Sequence, residues 1–111
     1  MKNRSKRILY EKQAEIAKAM AHPFRAAIVD FLKDGEQCVC DIAGHIGAER
    51  SNVSRHLFVM VSAGILECRK DGLKVIYKIK TPCVLRFLSC MTDCLRQQAA
   101  ENSRLLRVYK N

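Results

Sequence analysis

Six cysteines fall in a chain of 111 residues, and five of them form two patterned groups. Cys38 and Cys40 are two residues apart; Cys83, Cys90 and Cys94 are spaced seven and then four apart. Thiolates are soft ligands, so such groups suit thiophilic ions such as As(III), Sb(III), Cd(II) and Cu(I). On a helix Cys90 and Cys94 share a face, with Cβ atoms roughly 6 Å apart. After modest rearrangement, two such thiols also form a disulfide. Cys83 lies on that face too, but about 10 Å from Cys90 along an intact helix. One ion within one helix cannot span that distance, so a shared site needs Cys83 of one subunit beside Cys90 and Cys94 of its partner. Residues i and i+2 of a helix point to different sides. Cys38 and Cys40 therefore hold one ion only if their turn unwinds or the motif begins before a helix. The structural alternative for Cys83, Cys90 and Cys94 is small apolar packing, since free cysteine buries readily. Cys68 stands alone in a strand-like stretch and is expected in the core.

A thiol enzyme needs a base and an orienting group beside its nucleophile. Cys38, Asp41 and His45 are close in sequence, but no phosphate loop, paired-carboxylate pattern or Cys-x-x-Cys accompanies them. The expectation is no enzyme, with a thiol-dependent enzyme as the remote alternative.

Charge points to a different partner. Twenty Lys and Arg against eleven Asp and Glu give a formal net charge of +9, and the pI is near 9.5. A basic domain this small predicts a polyanion such as nucleic acid, because phosphate contacts release counterions. The length fits one domain, residues 1–111, and at 49% hydrophobic its own core is modest, so a dimer would help stability. No apolar stretch reaches the roughly 20 residues of a membrane helix. The start, MKNRSKRILYEK, lacks the apolar run of a secretory signal. Those features predict a cytoplasmic protein, where six cysteines do not read as a disulfide framework.

The elements that would carry these groups are mostly helical. Residues 6–21 place Ile8, Leu9, Ile16, Ala17, Met20 and Ala21 on one stripe. His22-Pro23 interrupts it, and a second helix runs from 23 to about 33 with Phe24, Ala27, Ile28, Phe31 and Leu32 inward. A short helix over 40–46 closes at Gly47, and another over 50–62 turns Val53, Leu57, Met60 and Val61 inward. That pair reads as a helix-turn-helix. Residues 65–70 and 73–79 then alternate as strands around Asp71-Gly72, a strong hairpin signal. Thr81-Pro82 opens a last helix to about residue 104, whose Leu85, Leu88, Met91 and Leu95 stripe suits a dimer interface, formed by the N-terminal and C-terminal helices together. The expected fold is mainly α with a small β-hairpin wing: a homodimeric winged helix-turn-helix.

Three segments sharpen this. AHPFRAAIVDFL (21–32) resembles the second-helix signature of the ArsR/SmtB family of metalloregulators. SNVSRHLFVMVSAGILECRKDGLKVIYKI (51–79) resembles that family's recognition helix and wing, and QCVCDIA (37–43) resembles the cysteine motif of its arsenic-sensing members. The resemblance spans about residues 10–95. It implies a homodimeric repressor on operator DNA in the apo state, released when an inducer binds. For this chain it implies As(III) or Sb(III) on Cys38 and Cys40. Where family members often carry a further cysteine, this chain has Ala43 and Gly44, so the site is either two-coordinate or completed from elsewhere. Nitrogen from the nearby His45 is a poor partner for arsenic. The alternatives are the same repressor answering to Cd(II) or Pb(II), or to thiol oxidation or persulfides.

In such a fold the N-terminal residues of the recognition helix face base edges. Here those are Arg50, Ser51, Asn52, Ser54 and Arg55, with Asn52, Ser54 and Arg55 favoured for bases or adjacent phosphates. Arg69, Lys70 and Lys74 flank the wing turn and would position the protein on phosphates. His56 reads as a structural histidine. Glu49, at the expected N-cap, is a poor cap.

Overall fold

Proline and glycine mark where the elements change. The computed structural model describes residues 2–109. Helix α1 spans Arg4–Met20, its first turn capped by the Asn3 carboxamide oxygen, which accepts from the Lys6 N–H at 3.1 Å. Pro23 begins α2, Pro23–Leu32, where a missing N–H costs nothing. A two-residue strand β1, Gln37–Cys38, leads into α3, Val39–Ile46. Helix α4 covers Arg50–Ser62, strands β2 and β3 cover Leu66–Asp71 and Lys74–Ile79, and α5 runs Cys83–Tyr109.

The core lies where α2, α3 and α4 meet the sheet. Ile28, Ile42, Val53, Leu57, Met60, Ile65 and Leu66 are essentially sealed from solvent, with Val84 of α5 closing one side. The order helix, helix, helix-turn-helix, hairpin, helix matches the sequence expectation, and α4 has the expected bounds.

Three features differ from that expectation. β1 adds a third strand, giving an antiparallel sheet of order β1-β3-β2. Two residues carry no readable alternation; pairing to β3 makes them a strand, with Gln37 opposite Tyr77 and Cys38 opposite Ile76. The hairpin turn sits one residue later than Asp71-Gly72 suggested. Asp71 is still paired with Lys74, so Gly72 and Leu73 form the turn, and Gly72 takes the positive φ of 63° that a two-residue loop requires. Along α1, Ile8, Leu9 and Ile16 of the stripe are exposed, and only Ala19 and Met20 reach the core of the chain. The α5 stripe divides, since Leu85 and Leu88 pack on the core while Met91 and Leu95 stand in solvent. The radius of gyration is 18.0 Å, against about 13 Å for a compact domain of this size. The long α5 accounts for that excess by carrying apolar side chains away from the body of the chain.

Candidate nucleic-acid interface and thiol site

Gly47, at φ 77°, ends α3, and its N–H donates to the Ala43 carbonyl at 2.9 Å. The chain then turns through Ala48 and Glu49 into α4. Glu49 takes the N-cap position without a side-chain hydrogen bond, as its poor capping predicts. With Val53, Leu57 and Met60 buried, the opposite side of α4 must face water. Ser51 and Arg55 are exposed there; Asn52 and Ser54 are half-buried on its flanks, and Arg50 is exposed at the start. Arg55 Nη2 donates to Asn52 Oδ1 at 3.1 Å. The two side chains best suited to guanine and adenine are thus tied to each other, which fixes Arg55 over the first turns of the helix.

A cluster behind α4 sets its position. The His22 ring caps α2 by accepting from the Phe24 N–H at 3.0 Å, and it lies 4.3 Å from the His56 ring, centroid to centroid. Arg25 Nε donates to His56 Nδ1 at 3.1 Å, and Arg25 Nη1 donates to the Lys18 carbonyl at 3.2 Å. Burial first, then the charges of His22, Arg25 and Arg55, push the His56 pKa below its ordinary 6.5. His56 is therefore a structural acceptor joining α4 to the ends of α1 and α2, as expected. Sequence reading missed Arg25 because its partner lies 31 residues away.

The wing carries Lys70 and Lys74 exposed beside its turn. Arg69 is engaged within the chain: Nη1 and Nη2 donate to the two Glu36 carboxylate oxygens, each at 2.7 Å. This bidentate pair holds the Glu36 carboxyl below its ordinary pKa and raises that of Arg69. The register places Cys38, Ile76 and Arg69 in one row across the sheet. Glu36 was also missed, since nothing local announces a partner 33 residues on.

Cys38 ends β1, caps α3 without a side-chain hydrogen bond, and is 7% exposed. Cys40 is exposed in the first turn of α3. The two thiols differ in accessibility, as i and i+2 positions predict. The motif begins before the helix: Cys38 precedes α3 as its extended N-cap, and Cys40 lies in the first turn. Cys68 is exposed in β2 opposite Tyr77, which corrects the expectation of a core residue: β2 is an edge strand of the sheet. Cys83 opens α5 and lines an apolar groove with Ile16, Met20 and Phe87. Cys90 and Cys94 are exposed along α5. Among the described residues of one chain, no three His, Cys, Asp or Glu side chains gather as a metal site. Among them, too, no helix is long and apolar enough to cross a membrane.

Residues 22–67 match the family model described as bacterial regulatory protein, arsR family. An HTH-type transcriptional regulator of Mycobacterium tuberculosis is 31% identical over 99 residues, covering 88% of this chain and 87% of its own. The arsenical resistance operon repressor of Staphylococcus xylosus is 31% identical over 70 residues, covering 63% and 67%. A probable mercury resistance operon repressor of Streptomyces lividans is 32% identical over 93 residues, covering 84% and 71%. Among solved structures, a homodimeric winged helix-turn-helix DNA-binding domain from Mycobacterium bovis superposes with a TM-score of 0.78 at 27% identity, covering 90% of this chain and 93% of that one.

Proposed function

The chain belongs to the ArsR family of bacterial regulatory proteins, and from that premise we propose that it is a homodimeric repressor released from operator DNA by As(III) or Sb(III) bound through Cys38 and Cys40. α4 enters the major groove with Arg50, Ser51, Asn52, Ser54 and Arg55 toward the bases, while Lys70, Lys74 and, once freed from Glu36, Arg69 meet phosphates. The unpartnered apolar faces of α1 and α5 form the dimer interface. The Mycobacterium bovis domain that this chain resembles is itself a homodimer.

The observation that carries the inducer site is the position of Cys38. It belongs at once to the sheet that ends in the wing and to the first turn of α3, the helix packed on α4. Arsenous acid, As(OH)3, exchanges two hydroxides for the two sulfurs. Each thiol proton leaves with a hydroxide as water, two As–S bonds form, and arsenic remains trivalent. Reaching Cys40 draws Cys38 out of its row, which breaks the bridge to Ile76 and unwinds the start of α3. Both motions disturb the placement of α4 and the wing relative to each other. The third position keeps hydroxide or takes a thiol from Cys83, Cys90 or Cys94 of the dimer.

The test is titration of the fully reduced dimer–DNA complex with As(III). Wild type is released, whereas the Cys38→Ser/Cys40→Ser variant binds DNA with unchanged affinity and stays bound. Release of that variant at wild-type As(III) concentrations would place the sensor on α5. Parallel titrations with Cd(II), Pb(II) and a persulfide donor separate the remaining inducers. Release by oxidant that reductant reverses marks a disulfide sensor.

A further inference from the structure

Ser51, Arg55, Phe58 and Ser62 form one line along α4, spaced i, i+4, i+7 and i+11, and all four are exposed. Phe58 is 72% exposed and sits nearly opposite the buried Val53 and Met60. Water is a poor solvent for a phenyl ring, and this helix has an apolar interior that the ring does not enter. Phe58 lines a shallow surface depression with Lys18 and Glu15 of α1 and with Arg25, whose guanidinium is bonded to His56 and to the Lys18 carbonyl. Phe58 lies about 4.5 Å along the axis from Arg55, little more than one base-pair step. Its Cα–Cβ bond tilts toward the helix N-terminus, which carries the ring back toward Arg55.

We propose that Phe58 is a specificity-determining residue that packs on the C5-methyl group of a thymine, next to the base pair met by Arg55. The inference rests on the reading of α4 as the helix in the major groove. There the thymine methyl is the apolar group among the base edges, and a phenyl ring is one of its partners. The exposed serines of the line add hydrogen-bonding capacity but cannot make that apolar contact. Lys18 beside the ring fits a phosphate that borders the groove, which sets DNA ahead of a protein partner for this face.

The experiment begins with duplexes selected by the wild-type dimer from a random library. Each thymine of the selected site is then replaced singly by uracil, which removes the methyl and nothing else. Wild type is expected to lose about fourfold in affinity at one thymine per half-site, the worth of one buried methyl group. Phe58→Ala, a substitution on an exposed helix face, is expected to bind the thymine duplex more weakly and to be indifferent to uracil at that position. Phe58→Leu is expected to keep part of the sensitivity. A flat uracil profile in wild type overturns the proposal, as does a Phe58→Ala profile that keeps the wild-type step. Loss of dimerisation in Phe58→Ala with its uracil profile intact also overturns it and assigns the ring to contact between copies. Failure of wild type to select any duplex overturns the DNA-binding reading itself, a distinct result.

Discussion

The nitrogen Nδ1 of His56 accepts a hydrogen bond from a guanidinium, so its role depends on the ring being neutral. Its pKa lies below 6.5 in the fold, chiefly because burial disfavours the imidazolium. As pH falls, the unfolded chain takes up this proton first, so this contribution to stability is present above about pH 6.5 and declines below it until the folded state protonates in turn. His56→Gln retains an acceptor for Arg25 but does not titrate. Its melting temperature is expected to fall less than that of wild type between pH 7.5 and 5.5, measured by circular dichroism. Parallel curves for the two proteins would show that the ring plays no part in acid sensitivity. Arg55 and Asn52 illustrate a second point at this scale. Their hydrogen bond orders the two side chains before DNA arrives, so less conformational entropy is lost on binding.

Among the elements, the wing and the thiol segment are not independent. β1 pairs with β3, and the Glu36–Arg69 fork spans from the segment before Cys38 to β2. Cys38 and the wing are thereby joined by paired residues on neighbouring strands. The fork also holds a cation that DNA would otherwise claim. Glu36→Gln removes its anionic partner and a negative charge facing the duplex. Operator binding is then expected to tighten at low salt, and the slope of log affinity against log salt to steepen by about one unit per protomer. If binding weakens at an unchanged slope, the fork serves to hold the wing and Arg69 does not meet phosphate.

At the scale of the whole molecule, one chain is incomplete. α1 and α5 leave Leu9, Ile16, Phe87, Met91 and Leu95 in water, and α5 continues with Leu105, Leu106 and Val108 exposed. Apolar faces of this extent mark an interface. Leu95, 64% exposed, lies outside the chain's own core, so Leu95→Glu is expected to leave the fold intact and to yield monomers in sedimentation velocity. Losing the linked second half-site should weaken operator binding by about two orders of magnitude. Its melting temperature should also cease to depend on protein concentration. A Leu95→Glu dimer with full DNA affinity would move the interface elsewhere.

Local rules made much of this legible before any coordinates. Apolar spacing of three and four set α2 and α4, Pro23 marked the start of α2 and Gly47 the end of α3, and the Asp71-Gly72 region announced the hairpin. The candidate thiols and most of the candidate DNA-facing residues were readable for the same reason: they lie close together along the chain. Phe58 was readable too, since counting 100° per residue from Leu57 places it on the Ser51–Arg55 line. What the chain order could not carry was pairing across long separations. The two-residue β1 exists only because β3 lies beside it, and Glu36 meets Arg69 only because the sheet brings them together. Cys68, whose residue type favours burial, is exposed on a strand that tertiary pairing leaves at the edge of the sheet. Among the cysteines the decisive difference is also tertiary. Spacing alone makes Cys38 and Cys40 a pair of thiols, whereas the sheet and α3 make Cys38 a buried joint between the helix-turn-helix and the wing.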